Sequence, residues 1–248
     1  MDLGLRGRTA IVCGASSGLG LAAAEALAEE GANVAMFARR REQLEWDAER
    51  IGALAVRGDV TNAADLERLV ARTIEAFGAI DILVWNSGGP PAGKAGDVTD
   101  EQLETAFELL LAPAVRLVRL CRPHLERSDA GRIVAITSLT VQEPTPHLAL
   151  SNSFRPGLVG FLKTLSREVG PNGITVNCVA PGRIDTPRMT ELYGESGPPP
   201  EELAQIPLGR LGAPREFGDV VCFLASARAA YVTGTTLLVD GGLSRGLL

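Results

Sequence analysis

The stretch from Thr9 to Gly20, Thr-Ala-Ile-Val-Cys-Gly-Ala-Ser-Ser-Gly-Leu-Gly, constrains the fold of this chain more than any other. Its first five residues are mostly apolar and partly β-branched, which is typical of a buried strand. Gly14, Gly18 and Gly20 follow, and residues 21–30 are strong helix formers that stop at Gly31. Glycines allow a tight turn and the close approach of a ligand, and the start of a helix offers unpaired N–H groups to a phosphate. The stretch therefore predicts a strand, a phosphate-binding turn and a helix, with a plain β-α turn as the alternative.

Strand-like and helix-like segments alternate along most of the chain. Apolar runs predict strands at residues 9–13, 33–38, 53–56, 81–85, 132–137, 175–179 and 235–239. Helical patterns lie between them, notably at residues 63–77, 100–127, 153–169 and 216–226. Such alternation with short connections is typical of a parallel sheet covered by helices on both faces. We therefore expect one three-layer, doubly wound α/β domain over residues 1–248, with a mostly parallel sheet of seven strands.

The composition argues against several classes of protein. A net charge of −6 does not suit a general nucleic-acid-binding protein. No apolar run approaches the roughly 20 residues that span a membrane, and the first residues lack the apolar core of a signal peptide. The four cysteines are scattered and show no metal-ligand spacing with the two histidines. We expect a cytoplasmic protein without a metal site, a membrane contact or a nucleic-acid partner.

Polar and turn-forming residues follow several of the predicted strands. Asp59, Asn86, Ser138 and Pro181 each follow a predicted strand, as the glycine turn does. Because ligands bind parallel sheets beyond the carboxyl ends of the strands, we expect these positions along one rim. Residues 188–212 are rich in proline and glycine. A loop of this length in a compact domain is usually functional, so we expect it to form a substrate lid.

These residues give the chain a family likeness that extends over nearly its whole length. It resembles the short-chain dehydrogenases/reductases, in particular their 3-oxoacyl-acyl-carrier-protein reductase-like group. The markers of the resemblance are Gly14-x-x-x-Gly18-x-Gly20, Asp59-Val60, Asn86-x-Gly88, Ser138, Asn177, Pro181-Gly182 with Thr186, and the ending Val232-Thr-Gly…Val239-Asp-Gly-Gly242. The resemblance implies a single Rossmann-type domain, an oxidoreductase activity on a small-molecule substrate, and a homotetramer or homodimer.

The resemblance also implies which residues bind a nicotinamide cofactor. They are Gly14, Ser16, Ser17, Gly18, Leu19, Gly20, Asp59, Val60, Asn86, Gly88, Arg155, Pro181, Gly182, Ile184 and Thr186. An acid at the end of the second strand would bind the ribose 2′-hydroxyl of NAD(H), but Ala38 stands there and Arg39 follows. A guanidinium suits the 2′-phosphate of NADP(H). We therefore predict NADP(H) in preference to NAD(H), with Arg39 as the main contact. The alternative is a solvated helix start, which is the stronger interpretation for Arg40 and Arg41.

The match fails at the residues that carry the family's chemistry. The family uses a Tyr-x-x-x-Lys pair, a serine thirteen residues before the tyrosine, and an asparagine on the preceding long helix. Ser138 matches the serine, but Ser151 stands at the tyrosine's place, Arg155 at the lysine's and Leu110 at the asparagine's. An aliphatic hydroxyl is a far weaker acid than a phenol, and an arginine does not pass on its proton. The candidate catalytic residues are therefore Ser138, with Ser151 and Arg155 at the positions of the absent pair.

Other side chains can be considered as proton donors. Tyr193 in the predicted lid and His147 before Ser151 are the main alternatives, although we expect lid packing for the first and a surface position for the second. Asp185 and Tyr231 are expected to be exposed or remote. Pro156 cannot donate a backbone hydrogen bond, so we expect its helix to start late or to kink.

Three functions remain open on the sequence. The first is an NADP(H)-dependent oxidoreductase that reduces a carbonyl or oxidises a secondary alcohol, with an atypical catalytic site. The second is a non-catalytic NADP(H)-binding sensor or assembly subunit. The third is a non-redox enzyme built on the same pocket, against which the intact glycine turn and Arg39 weigh.

Overall fold

The computed structural model describes residues 1–246 and contains one seven-stranded sheet. Its strands are β1 Thr9–Cys13, β2 Asn33–Ala38, β3 Leu54–Arg57, β4 Ile82–Trp85, β5 Arg132–Ile136, β6 Thr175–Pro181 and β7 Thr236–Val239. The order in the sheet is β3-β2-β1-β4-β5-β6-β7, and every neighbouring pair is parallel. The strand order reverses beside β1, which places the carboxyl ends of β1 and β4 at the crevice where such sheets bind ligands.

Helices cover both faces of the sheet. They are α1 Gly18–Glu29, α2 Arg41–Ile51, α3 Ala63–Phe77, α4 Asp100–Leu110, α5 Ala112–Leu125, α6 Ala149–Val169, α7 Pro187–Tyr193, α8 Pro200–Leu203 and α9 Pro214–Ala225. Among residues 1–246, none of them is both long enough and apolar enough to cross a membrane.

The hydrophobic core consists of two clusters, one on each face of the sheet. The first joins the sheet to α1, α2 and α9 through residues such as Leu27, Leu44 and Phe217. The second joins it to α3, α5 and α6 through residues such as Leu66 and Leu117. Because the strands alternate their side chains between the two clusters, both faces of the sheet are apolar. The predicted three-layer, doubly wound α/β fold in a single domain is confirmed.

Two helices pack unusually closely on the first of these faces. A Cβ atom added to Gly218 of α9 would lie 2.5 Å from the carbonyl oxygen of Ala22 in α1. The Cys222 thiol lies 3.6 Å from the Ala26 carbonyl oxygen, across 196 positions of the chain. The small residues on both helices therefore bring the backbone of α9 directly onto the helix that follows the glycine turn.

The prediction of one long helix over residues 100–127 is wrong. α4 ends at Leu110 and α5 begins at Ala112, and Leu111 between them has φ −113° and ψ −58°. Pro113 lies in the first turn of α5, where it has no N–H to donate to a carbonyl of the preceding turn. The apolar residues continue across this break, which is why their pattern alone suggests a single helix.

Pro156 does not delay the start of its helix, contrary to one of the two outcomes expected. α6 begins at Ala149, before the proline, and continues through it to Val169. The missing donor leaves one intrahelical bond unmade, while the buried face of Leu158, Leu162 and Leu165 holds the helix against the sheet. The start at Ala149 brings Ser151 and Arg155 onto the same continuous helix.

Candidate active site

A cavity of about 570 Å³ lies beyond the carboxyl ends of the strands. This volume is within the range typical of small-molecule sites. The predicted site residues that line it are Gly14, Ser16, Ser17, Gly18, Leu19, Arg39, Asp59, Val60, Asn86, Gly88, Ser138, Ser151, Arg155, Pro181, Gly182, Ile184 and Thr186. The ends of six strands, β1 to β6, thus contribute to one continuous space, as the expected rim requires.

The glycine turn forms the floor at one end of the cavity. Gly14 has φ +61° and Gly18 has φ +55°, a region that side-chain-bearing residues rarely adopt. A Cβ atom at Gly14 would lie 2.5 Å from the amide nitrogen of Asn86. Gly20 does not line the cavity; it packs behind the turn, where a Cβ would collide with the Gly14 carbonyl. The absence of side chains leaves a cradle at the start of α1 that fits a dinucleotide pyrophosphate.

Arginines following β2 surround the next part of the cavity. The Arg39 side chain is 75% exposed, and its Nη1 lies 3.9 Å from a carboxylate oxygen of Asp59. Arg40 also lines the cavity, and its Nη2 donates to the Ser16 carbonyl at 3.0 Å and to the Ser16 hydroxyl at 3.3 Å. The sequence alone favours a solvated role for Arg40 at the start of a charged helix, which this contact contradicts. Its position before α2 turns the side chain back over the glycine turn, which the order of residues alone does not indicate.

Hydroxyl groups occupy the part of the cavity at which the family chemistry is expected. Ser151 is only 4% exposed, and its Oγ lies 2.9 Å from Oγ1 of Thr140. The Ser138 hydroxyl accepts a hydrogen bond from the Thr140 backbone N–H at 3.2 Å. Thr140 therefore connects the two predicted serines. Thr140 is not among the residues predicted for the site, and its position two residues after Ser138 is the one signal that the sequence offers for it.

Arg155 is a buried cation at the same end of the cavity. It is 8% exposed, and its Nη1 donates to the carbonyls of Thr137 at 3.0 Å and Ile136 at 3.4 Å. Burial, together with the charge of Arg188, lowers the pKa of the Arg155 guanidinium to about 10. The group is still protonated near neutral pH. Among residues 1–246 no carboxylate pairs with it.

The structure places Tyr193 at the cavity and the other proton-donor candidates elsewhere. Tyr193 lines the cavity, and its hydroxyl donates to a Glu202 carboxylate oxygen at 2.6 Å. Burial and this carboxylate raise the pKa of the Tyr193 phenol. His147 and Asp185 do not line the cavity, and Tyr231 is fully exposed. Tyr193 is thus the one phenol among residues 1–246 with access to the site.

The position expected for the family asparagine lies outside the cavity. Leu110 is 1% exposed and packs in the protein interior, whereas its neighbour Leu109 lines the cavity. Within the described part of the chain, no group of three or more histidine, cysteine, aspartate or glutamate side chains can hold a metal ion. The polar groups facing the cavity near α6 are therefore hydroxyls and guanidiniums.

The segment after β6 covers one side of the cavity. Arg188, Met189, Leu192 and Tyr193 of α7 line it, while Leu203 and Ile206 of the same proline- and glycine-rich segment do not. Arg188 donates from Nη2 to the Pro90 carbonyl at 2.9 Å and from Nη1 to Glu191 at 2.8 Å. The bond to Pro90 joins α7 to the loop that follows β4 across the cavity, and the bond to Glu191, within α7, holds the Arg188 side chain in place.

Comparison with known proteins extends the likeness over nearly the whole chain. Residues 14–244 match the family model described as enoyl-(acyl carrier protein) reductase. The chain is 36% identical over 243 residues to the 3-oxoacyl-acyl-carrier-protein reductase of Vibrio cholerae, covering 97% of this chain and 99% of that protein.

Two solved structures have the same fold at similar identity. One is the L-sorbose reductase of Gluconobacter frateurii complexed with NADPH and L-sorbose, with a TM-score of 0.92, 33% identity and full coverage of both chains. The other is an NADPH-bound short-chain oxidoreductase from Pseudomonas aeruginosa, described as containing an atypical catalytic center. Its TM-score is 0.89 at 32% identity, over 96% of this chain and 97% of that one.

Proposed function

The chain belongs to the short-chain dehydrogenase/reductase family, and on that premise we propose that it binds NADP(H) and interconverts a carbonyl and a secondary alcohol. The observation that carries the proposal is the continuity of the cavity, which joins the glycine turn to Ser138, Ser151 and Arg155. A cofactor lying on the turn and a substrate lying beside the hydroxyls would share this one space.

The residues of the cavity fit an NADP(H) molecule in an extended arrangement. The glycine turn and the start of α1 would hold the pyrophosphate, and Arg39 with Arg40 would hold the 2′-phosphate. The remaining contacts are those that the resemblance implies, at Asp59, Val60, Asn86, Gly88, Arg155, Pro181, Gly182, Ile184 and Thr186. When bound, the nicotinamide would supply or accept the hydride.

The residues near α6 favour a slow reaction. Ser138 and Ser151 line the cavity and can order a water or a substrate oxygen by hydrogen bonding, with Thr140 behind holding Ser151, but a serine hydroxyl is a poor acid near neutral pH. Arg155 holds a positive charge beside them without transferring its proton. We infer that Ser138, Ser151 and Arg155 position the substrate and that a bound water carries the proton. The catalytic site is atypical in this sense.

Three further proposals accompany this function. Residues 188–212 act as a lid, because α7 contributes the apolar side chains of Met189 and Leu192 to the cavity. The protein is a homotetramer or homodimer in the cytoplasm, as the family likeness implies. An apolar face suited to a second subunit is formed on α4 by the exposed side chains of Leu103 and Phe107. The ring centroid of Phe107 lies 6.4 Å from that of Phe154 on α6.

Titration and turnover measurements test the main proposal. We expect NADPH to bind more tightly than NADH, followed by NADPH oxidation with at least one of a panel of ketones, β-ketoacyl thioesters and quinones. Failure of both cofactors to bind at millimolar concentration would refute the proposal. Arg72→Gln, on the exposed surface of α3, serves as a control that leaves binding unchanged.

A non-catalytic NADP(H)-binding sensor or assembly subunit is the second candidate. It is favoured by one observation, the engagement of the cavity's phenol, Tyr193, with Glu202 rather than with the hydroxyls near α6. This function predicts tight NADPH binding with no oxidation by any member of the panel. Single-turnover measurement with a large excess of protein distinguishes it from a slow enzyme.

A further inference from the structure

Two guanidinium groups line the cavity from different helices. Arg155 of α6 is buried, and Arg188 of α7 is held over the cavity by its bond to the Pro90 carbonyl. The charge of Arg188 contributes, after burial, to the lowered pKa of the Arg155 guanidinium. Arg188 has a carboxylate partner in Glu191, at 2.8 Å. Another cavity arginine, Arg183, is paired with Glu202 at 2.6 Å.

Arg155 is the exception because it has no carboxylate partner among residues 1–246. Two backbone carbonyls accept from its Nη1, whereas its Nε and Nη2 make no hydrogen bond there. An arginine has five N–H donors, so contact with a cofactor ribose would still leave donors free. A cation that is more than nine-tenths buried without a counter-ion is energetically costly, and a second cation beside it increases the cost.

We propose that the substrate carries a carboxylate, which binds between the guanidinium groups of Arg155 and Arg188. This inference rests on the proposed function, since it takes the cavity to be a substrate site. A carboxylate offers two oxygens in a plane that matches the guanidinium fork. It would also balance the one buried cavity arginine that lacks an acidic partner in the described chain; Arg40 lacks one too, but it is exposed to solvent.

The walls around these arginines define the rest of the substrate. Leu109, Leu139, Leu148 and Leu192 contribute apolar surface to the cavity. The substrate class is therefore an oxo acid or hydroxy acid whose reacting carbon is separated from the carboxylate by an aliphatic segment.

Calorimetric titration of matched acids and esters tests the inference. The probes are levulinate and 5-oxohexanoate beside methyl levulinate and methyl 5-oxohexanoate, each titrated into the protein with and without saturating NADP⁺. We expect at least one acid to bind tenfold or more tightly than its ester. Arg188→Gln should remove most of that preference, measured as the ratio of acid to ester affinity within the same variant, and Arg188→Lys should retain part of it. The control, Arg72→Gln, removes an exposed arginine of α3 and should retain the full preference.

The outcomes separate this inference from the proposed function. If NADP⁺ binds but the esters bind as tightly as the acids, or neither binds, the carboxylate site is refuted and cofactor binding stands. If NADP⁺ does not bind but the acids still prefer the wild type to Arg188→Gln, the proposed function fails and the anion site stands. Competition by inorganic phosphate as strong as that of the best acid would also refute a substrate-specific site. Thermal unfolding of each variant checks that it is folded. If a variant does not fold, the comparison of acid with ester affinity in the wild type still tests the carboxylate site.

Discussion

Restoring the family's proton donor should increase the rate of carbonyl reduction. The perturbation is the double variant Ser151→Tyr with Arg155→Lys. A phenol placed at Ser151 would extend from α6 into the cavity, whose volume of about 570 Å³ leaves room for the ring. The ammonium group of a lysine at position 155 would lower the phenol pKa toward neutral pH.

The expected gain follows from the contribution of general acid catalysis, which is roughly 10²- to 10⁴-fold. We expect about 10²-fold in kcat/KM, the lower end, because Leu110 is buried outside the cavity and contributes no polar group to a proton relay. The substitutions also have a cost. Loss of the Ser151–Thr140 hydrogen bond removes about 1 kcal/mol, and the bonds of Arg155 to two carbonyls are weakened.

The assay is NADPH oxidation by the panel of ketones, thioesters and quinones, with NADPH affinity and unfolding temperature measured in parallel. Ser151→Phe with Arg155→Lys is the matched control, since it supplies the same ring without the hydroxyl. The reasoning is refuted if the Phe variant gains as much as the Tyr variant. It is refuted equally if a folded Tyr variant with unchanged NADPH affinity shows no gain.

Three other perturbations test separate parts of the structure. Gly20→Ala places a Cβ against the glycine turn and should cost about 1–3 kcal/mol of stability with weaker NADPH binding; an unchanged unfolding temperature would contradict this. Arg40→Ala should weaken NADPH binding roughly tenfold, at least as much as Arg39→Ala does. Its effect on NADH binding, measured in the same fluorescence titration, should be small. Equal losses of affinity for NADPH and NADH would exclude a 2′-phosphate contact. Arg210 and a backbone N–H lower the pKa of Glu216 to about 2, below its unfolded value of about 4.3. The stabilisation by ionised Glu216 is therefore complete above about pH 4.3 and is lost as the pH falls toward 2. In urea denaturation, the free energy of unfolding of Glu216→Gln should thus fall less than that of the wild type across this interval. Parallel plots of unfolding free energy against pH for the two proteins would refute the assignment.

The fold could be predicted because each of its elements has a local cause. The β-branched run at residues 9–13 and the regular alternation of apolar segments determine the strands and the layers. The break between α4 and α5 was missed, although Pro113 was visible, because apolar residues continue on both sides of it. An apolar pattern reports which residues are buried and not whether the backbone between them is continuous.

The predicted site was less complete than the fold because side-chain direction depends on tertiary structure. Strand ends identified the residues that line the cavity, and those assignments required only the rule for parallel sheets. The contacts of Arg40 with Ser16 and of Arg188 with Pro90 join residues that are far apart in the chain. No spacing in the sequence encodes such pairs, so they emerge only from the folded arrangement.

The packing of α9 on α1 has a consequence for synthesis of the protein. The Cys222 thiol and the Ala26 carbonyl that meet in this contact are 196 positions apart. At a translation rate of about 5–20 residues per second, roughly 10 to 40 s separate the emergence of the two helices from the ribosome. During this interval α9 is not yet available to pack on the alanine- and leucine-rich side of α1, so that side is exposed and can bind a molecular chaperone. A ribosome-bound chain that ends before Pro214 would therefore carry the complete glycine turn and still lack a rigid phosphate cradle.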